Sequence, residues 1–284
     1  MGISEKKVSF KHSDIILSTN LRSQNAIEDI ISEADLIIID EAHRVSPLGK
    51  AYKNVLEKFD KEAKKEAHIV GLTASPERRT GNQQDQLGLT FDAIIDCAEI
   101  KSLIKEKVLV EPVYKPYFIH DLNLNHKEIK NGDFPISVLS SAIIKSSMID
   151  YAISIYTNER KKVSPQPISA WFCPDIAVAE KTLNSIRNKN IDSQILTAMT
   201  PALERKRILS DHLEGKIEAL ISVGVLIEGW DNPNCNIIVH LRPTLSKVLW
   251  GQSVGRGLRA TNNKNKCTII DVSSNSVSYT HLRA

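Results

Sequence analysis

Five short apolar runs separated by segments of helical period constrain this chain more than any other feature. They are Ile168 to Phe172, Ser193 to Leu196, Ala219 to Val223, Asn236 to His240 and Thr268 to Asp271. Strands that alternate with helices demand a parallel sheet covered by helices, an α/β architecture. Between the first two runs, Ile176, Ala179, Leu183 and Ile186 share one helical face after Asp175, a suitable N-cap. Between the next two, Thr200 is expected to cap a helix with Pro201 at its first position, and Gly215 to end it.

The first half has the same grammar with fewer units. Asp14 to Ser18, Leu36 to Ile39 and His68 to Thr73 read as buried strands, and Val55 to Glu66 as a helix with Glu57–Lys61 and Asp60–Lys64 on its wet side. At roughly 150 residues per domain, the 284 residues predict about two domains. Prolines at 112 and 116, with few helical cues from Val108 onward, place the boundary near residue 111. The expected lobes are 1–111 and 112–276.

Composition narrows the function classes. A hydrophobic share of 42% and a charged share of 25% exclude a disordered or fibrous chain. No apolar run approaches the roughly 18 residues of a membrane span, so no membrane partner is expected. Met1 to Lys11 has no apolar signal core, which makes the cytoplasm the default location. Lys plus Arg number 37 against 34 Asp plus Glu, so any nucleic-acid contact must come from a local groove rather than a global field. Cys97, Cys173, Cys235 and Cys267 match no zinc or CxxC spacing and read as reduced, mostly buried thiols.

The chemistry starts where the strand Leu36 to Ile39 runs into Asp40-Glu41-Ala42-His43. Two adjacent carboxylates at the carboxyl end of a parallel strand stand where ligands bind in this architecture. One can hold hydrated Mg²⁺ on a nucleotide's phosphates while the next orients the attacking water. Gly71-Leu72-Thr73-Ala74-Ser75-Pro76 follows at the end of the next strand. Much later come Ser222-Val223-Gly224-Val225-Leu226-Ile227-Glu228-Gly229-Trp230-Asp231 and then Gln252-Ser253-Val254-Gly255-Arg256-Gly257-Leu258-Arg259.

This order resembles motifs II, III, V and VI of the superfamily 2 nucleic-acid motors, the helicases and translocases with a DEAH box. Asp14 to Thr19 looks like the first-lobe strand whose threonine touches the nucleic-acid backbone, Ser169 to Pro174 resembles motif IV, and Arg242-Pro243-Thr244-Leu245-Ser246 matches the run before motif VI. The resemblance covers about residues 12 to 271, and its spelling is closest to repair-type helicases and restriction-enzyme motor subunits. It implies two RecA-like lobes in tandem, the first incomplete, that hydrolyse ATP with Mg²⁺ in a cleft and move on nucleic acid, DNA being favoured over RNA. Restriction or repair subunits are the implied protein partners.

Carried over residue by residue, the resemblance gives Asp40 the Mg²⁺ through water, Glu41 the hydrolytic water, and His43 a link to the opposite lobe. Thr73 and Ser75 would couple hydrolysis to strand contacts. Gly229 and Asp231 would reach the nucleotide sugar, and Gln252 would bind the nucleotide. Arg256 and Arg259 would act as arginine fingers on the γ-phosphate, a role suited to a rigid guanidinium fork. Thr19, Thr197 and Thr244 would touch the nucleic acid. Trp230 and Trp250 could stack on bases, but their glycine-flanked settings favour core packing.

A phosphate-cradling GxxxxGK(S/T) loop does not occur. Gly-Lys stands at 49–50 and 215–216, with Arg44 or Ser210 five positions before and Ala51 or Ile217 after. Only 39 residues precede Asp40, so the chain is expected to be truncated at its N-terminus and unable to turn over ATP by itself. Loss of a central strand is expected to expose backbone and apolar faces in the first lobe. Val277 to Ala284 resembles a translated sequencing-adapter read and is expected to be non-native. Two other readings stand beside the motor: a nucleic-acid-binding module without hydrolysis, and the motor subunit of a restriction enzyme whose nuclease lies elsewhere.

Overall fold

Alternate side chains of a strand face opposite ways, so a strand buried on both faces belongs inside a layered sheet. The computed structural model, which describes residues 34–42, 57, 59, 67–74, 88, 91–130, 132–163, 166–227 and 229–273, shows this in its second half. Two units divide the chain, Met1–Ile95 and Asp96–Ala284.

Among the described residues the second unit holds six strands: β3 (Glu111–Pro116), β4 (Ser169–Phe172), β5 (Ser193–Leu196), β6 (Ala219–Ser222), β7 (Ile237–His240) and β8 (Lys266–Asp271). All pair in parallel, in the order β3-β8-β7-β4-β6-β5. Trp171, Ile221, Val239 and Ile270 pack on one face against α2 (Ile136–Lys145), α3 (Met148–Glu159) and α4 (Ile176–Arg187). Ala170, Leu220, Ile238 and Ile269 pack on the other against α5 (Ala202–Leu213) and α6 (Lys247–Gly255). Trp230 and Trp250 are buried in that second layer, as expected of core residues, and three of the four cysteines are buried. No single helix among the described residues is long and apolar enough to cross a membrane.

Segment 108–116 is not a linker. It forms β3 beside β8, at the edge of the sheet, where Pro112 and Pro116 are tolerated because one side of an edge strand has no ladder to serve. The Val110 N–H donates to the Leu258 carbonyl at 2.7 Å and the Ala260 N–H to the Val108 carbonyl at 3.2 Å. These bonds join the segment to the second unit, whose start at Asp96 lies ahead of the boundary near 111 that the prolines suggest. A short helix, α1 (Ile100–Lys105), precedes it.

Local chemistry sets the helix ends. Asp175 caps α4, its carboxylate accepting the Val178 N–H at 2.9 Å. α5 starts one residue later than expected, with Pro201 itself at the N-cap, because the Thr200 hydroxyl is taken by the Thr197 N–H at 3.1 Å. Gly215, at φ +76°, ends α5. Its N–H reaches the His212 carbonyl and that of Lys216 the Asp211 carbonyl, the paired bonds of a Schellman stop.

His212, fully buried on α5, joins three layers. Its Nε2 lies 3.1 Å from the Ser169 carbonyl and its Nδ1 accepts from Asn232 Nδ2 at 3.0 Å. A hydrogen bond at each nitrogen suits the neutral ring, and burial lowers its pKa to about 4. Nearby, the Ser169 hydroxyl donates to Tyr156 Oη, which donates to Glu218, and Glu218 also accepts two bonds from Arg160.

In the first unit, β1 (Leu36–Ile39) and β2 (His68–Gly71) pair in parallel, Leu36 opposite His68 and Ile39 opposite Gly71. They are not buried as the sequence suggests: Leu36 is 52% and Ile38 59% exposed. Glu57 and Phe59 are helical, within the helix expected over 55–66. The remainder of that helix, the strand at Asp14 to Ser18 and the tail 277–284 lie outside the described residues.

Replacing Asp175 by Ala removes a cap and should cost about 1 kcal/mol, a fall of about 2–4 °C in a thermal melt. An unchanged midpoint would discount the cap. His212 has a folded pKa of about 4 against an ordinary 6.5, so between those values the unfolded chain takes up a proton that the native ring refuses. Stability is therefore full above pH 6.5 and should decline as pH falls toward 4, by up to about 1.4 kcal/mol per pH unit. His212→Gln should remove about half of the slope measured in urea titrations, the rest belonging to His240, whose pKa burial likewise lowers to about 4.

Candidate functional site

In the first unit the acid pair follows directly from the β1–β2 ladder. Backbone bonds from Leu72 N–H to the Ile39 carbonyl (2.8 Å) and from Ala42 N–H to the Leu72 carbonyl (2.9 Å) extend the pairing past both strand ends. Asp40-Glu41 and Leu72-Thr73 consequently leave the same edge side by side. Glu41 has φ +50°, a left-handed conformation uncommon outside glycine, and its N–H is accepted by Asp40 Oδ1 at 2.8 Å. Asp40 is exposed. Hard carboxylate oxygens of this kind suit hydrated Mg²⁺. Gly71 permits the close packing beneath: a Cβ there would stand 2.6 Å from the Phe91 ring and 2.8 Å from Ala42 Cβ. His43, Ser75 and Thr19 lie outside the described residues. Among the described residues no three His, Cys, Asp or Glu side chains gather as a metal site.

In the second unit the segment after β6 turns tightly. The Ser222 hydroxyl accepts the Leu226 N–H at 3.2 Å, and Gly224 (φ +75°) and Gly229 (φ +69°) occupy left-handed positions with open space where a Cβ would stand. Arg256, at the C-terminal end of α6, braces this loop from below. Its Nε and Nη2 donate to the Ile227 carbonyl at 2.9 and 2.5 Å, and its Nη1 to the Trp230 carbonyl at 2.8 Å. The guanidinium expected on a phosphate is thus engaged by backbone, because its planar fork matches the carbonyls of the motif V turn.

Arg259 differs. Its side chain, half-exposed, forms an ion pair with Asp231, so two residues expected at the nucleotide meet one another. Gln252, one helical turn before Arg256, has a buried Nε2 without a hydrogen-bond partner. Gly224 and Gly229 leave open space along the loop, and Arg259 is a half-exposed guanidinium near its end.

The threonines fare unequally. Thr197, half-buried after β5, accepts the Met199 N–H at 3.1 Å, and Arg205 steadies its carbonyl at 3.0 Å. Thr244 is only 3% exposed and its hydroxyl donates to Asp133 at 2.6 Å, so it is an internal anchor rather than a surface hydroxyl offered to nucleic acid. Asp133 also accepts the Leu245 N–H, which ties the segment before α2 to the Arg242-Pro243-Thr244 run. Sequence reasoning missed Asp133 and Asn232. Asp133 stands 111 residues from its partner with no pattern to connect them. Asn232 could have been suspected from its place beside Asp231, where its amide fixes His212.

Residues 3–78 match the family described as "Type III restriction enzyme, res subunit" and residues 146–261 the "Helicase conserved C-terminal domain". The chain is 28% identical over 241 residues to a protein of Saccharomyces cerevisiae named as ATP-dependent helicase IRC3, covering 84% of this chain and 34% of that one. It is 30% identical over 239 residues to the mitochondrial ATP-dependent helicase irc3 so named in Schizosaccharomyces pombe, covering 83% and 38%. It therefore spans about a third to a half of the length of the curated relatives it matches. Among solved structures it is similar to a fragment of an HsdR subunit of a type I restriction enzyme from Vibrio vulnificus, with a TM-score of 0.68 at 21% identity over 91% of this chain and 48% of that one. The Hef helicase domain of Pyrococcus furiosus has a TM-score of 0.52 at 15% identity, covering 92% and 77%. These likenesses establish the RecA-like fold. With acid-bearing strand, motif V loop and arginine helix following one another in one order, residues 3–78 carry a restriction-enzyme res-subunit segment and residues 146–261 a helicase C-terminal domain, in a chain related to proteins named as ATP-dependent helicases.

Proposed function

We propose that this chain is part of an ATP-driven motor that translocates along or unwinds nucleic acid, with DNA as its track. The observation that carries the reading is the second unit's candidate nucleotide-facing set: a motif V loop braced from within by Arg256, with half-exposed Arg259 paired to Asp231. ATP's γ-phosphate competes with Asp231 for that guanidinium, and Asp231, once released, is available to a sugar hydroxyl. Gln252 supplies its unsatisfied amide to the same ligand.

In the first unit, Asp40 and Glu41 are the acids suited to a nucleotide's metal ion and attacking water. Asp40 would hold Mg²⁺ through water, and the ion would supply charge neutralisation at the phosphates. Glu41 orients and deprotonates the attacking water, and Thr73, beside it on the adjoining segment, passes the change to the strand contacts. This divides the two arginines expected as fingers: Arg259 acts on phosphate, and Arg256 keeps the loop in shape. Nucleic acid meets Thr197 and neighbouring backbone through its phosphates, so binding is sequence-blind and weakens with salt.

DNA is supported by the likeness to the HsdR fragment and to solved structures described as bound to DNA, among them a Type ISP restriction-modification enzyme with a TM-score of 0.57. The match of residues 3–78 to a restriction-enzyme family favours a nuclease-bearing partner or domain.

Genomic sequence upstream of codon 1 tests the reading. An in-frame GxxxxGK(S/T) loop supports the motor, whereas a stop codon and ribosome site before Met1 supports a module that binds without hydrolysis. In the protein that includes such a loop, Glu41→Gln should lower ATP turnover by about 100-fold or more while sparing nucleotide binding. Wild-type turnover in that variant would remove the acid pair from the chemistry.

A further inference from the structure

The turn between motif VI and β8 carries a lysine where a surface residue is ordinarily found. Lys264 is 7% exposed, and its N–H closes the turn on the Thr261 carbonyl at 3.2 Å. An ammonium group has three donors, and here all three end on backbone carbonyls. Lys264 Nζ donates to Pro233 O at 2.6 Å, Cys235 O at 3.0 Å and Gly257 O at 3.1 Å. Pro233 and Cys235 lie between Asp231 and β7, and Gly257 lies between Arg256 and Arg259. Burial lowers the pKa of the ammonium, and carbonyl dipoles take the place of water around it.

The Gly257 backbone is itself pressed onto the sheet. A Cβ there would stand 2.5 Å from Cys267 Sγ and 2.7 Å from Ile238 Cγ1, so this carbonyl has little room to move. The loop and the arginine helix are thus joined at two points: Arg256 reaches back to Ile227 and Trp230, and Lys264 gathers the segments that follow Asp231 and Arg256.

We infer that Lys264 is a positioning residue that sets the spacing between Asp231 and Arg259 by holding the motif V backbone at Pro233 and the motif VI backbone at Gly257 to one point. Its consequence for nucleotide binding rests on the function proposed above.

Hydrogen exchange on the full chain tests the geometry without any nucleotide. In Lys264→Met, which keeps the apolar stem, exchange at the Cys235, Gly257 and Leu258 amides should accelerate at least about tenfold while Trp171 and Ile221 in the central strands keep wild-type protection. Uniform acceleration, or none, overturns the inference. Should Lys264→Met not fold, Lys264→Arg is read at the same amides with the same two outcomes, because a planar fork cannot converge on three carbonyls from one point. In the loop-bearing protein, Lys264→Met, Arg259→Ala and the double variant should lose affinity for a non-hydrolysable Mg·ATP analogue by one common factor, since the lysine acts through the arginine. Additive losses would reduce Lys264 to a stability residue and overturn the positioning role. Absence of nucleotide affinity in the wild type of that protein would sink the proposed function while leaving the exchange result standing.

Discussion

Parallel pairing of β7 with both β4 and β8 is the constraint on which the rest of the second unit depends. It sets Phe172, His240 and Asp271 in one row and points all six carboxyl ends at one edge. The loops that leave this edge inherit their positions from the ladder: the motif V segment from β6, and the run into α6 from β7. Open α/β sheets place ligands there for the same reason, since the edge gathers backbone and side chains from distant parts of the chain. In the first unit the β1–β2 pair repeats the device on a small scale, aligning the acids with the Leu72-Thr73 turn.

Two cations of the second unit, partly buried Arg256 and buried Lys264, find carbonyls as hydrogen-bond partners. Arg256 and Lys264 together engage five main-chain oxygens (Ile227, Trp230, Pro233, Cys235 and Gly257). Hydrogen bonds to charged groups contribute about 1.5–3 kcal/mol each, and these bind loop to loop. His212 serves the same end while neutral, reading Asn232 with one nitrogen and Ser169 with the other. Arg259, half-exposed and paired with Asp231, stands apart from this carbonyl-bound set.

The apolar strands of the second half were legible because both their faces are buried, which leaves runs such as Ile237–His240 almost free of polar interruption. The Asp175 cap and the Gly215 stop were legible because each is a local rule. β3 was hidden by its prolines, whose tolerance depends on an edge position that no short window reveals. Strand order, with β4 in the middle although it is neither first nor last in the chain, is likewise a property of pairing. At the site, motif spacing identified which residues gather. It could not tell that Arg256 turns inward, that Thr244 is sealed by Asp133, or that Lys264 lies under the loop. Those outcomes are set by contacts 26 to 111 residues apart in sequence.

Glu41 holds a backbone that most side chains resist, at a conformational cost of about 1–2 kcal/mol relative to a relaxed residue. Glycine and asparagine tolerate that conformation better, and neither carries an acid. Under the function proposed for Glu41, durability and reactivity therefore pull in opposite directions at this one position. A library sorted for heat resistance alone would drift toward the inert residue, and the hardiest survivors would be those with nothing left to offer a water molecule.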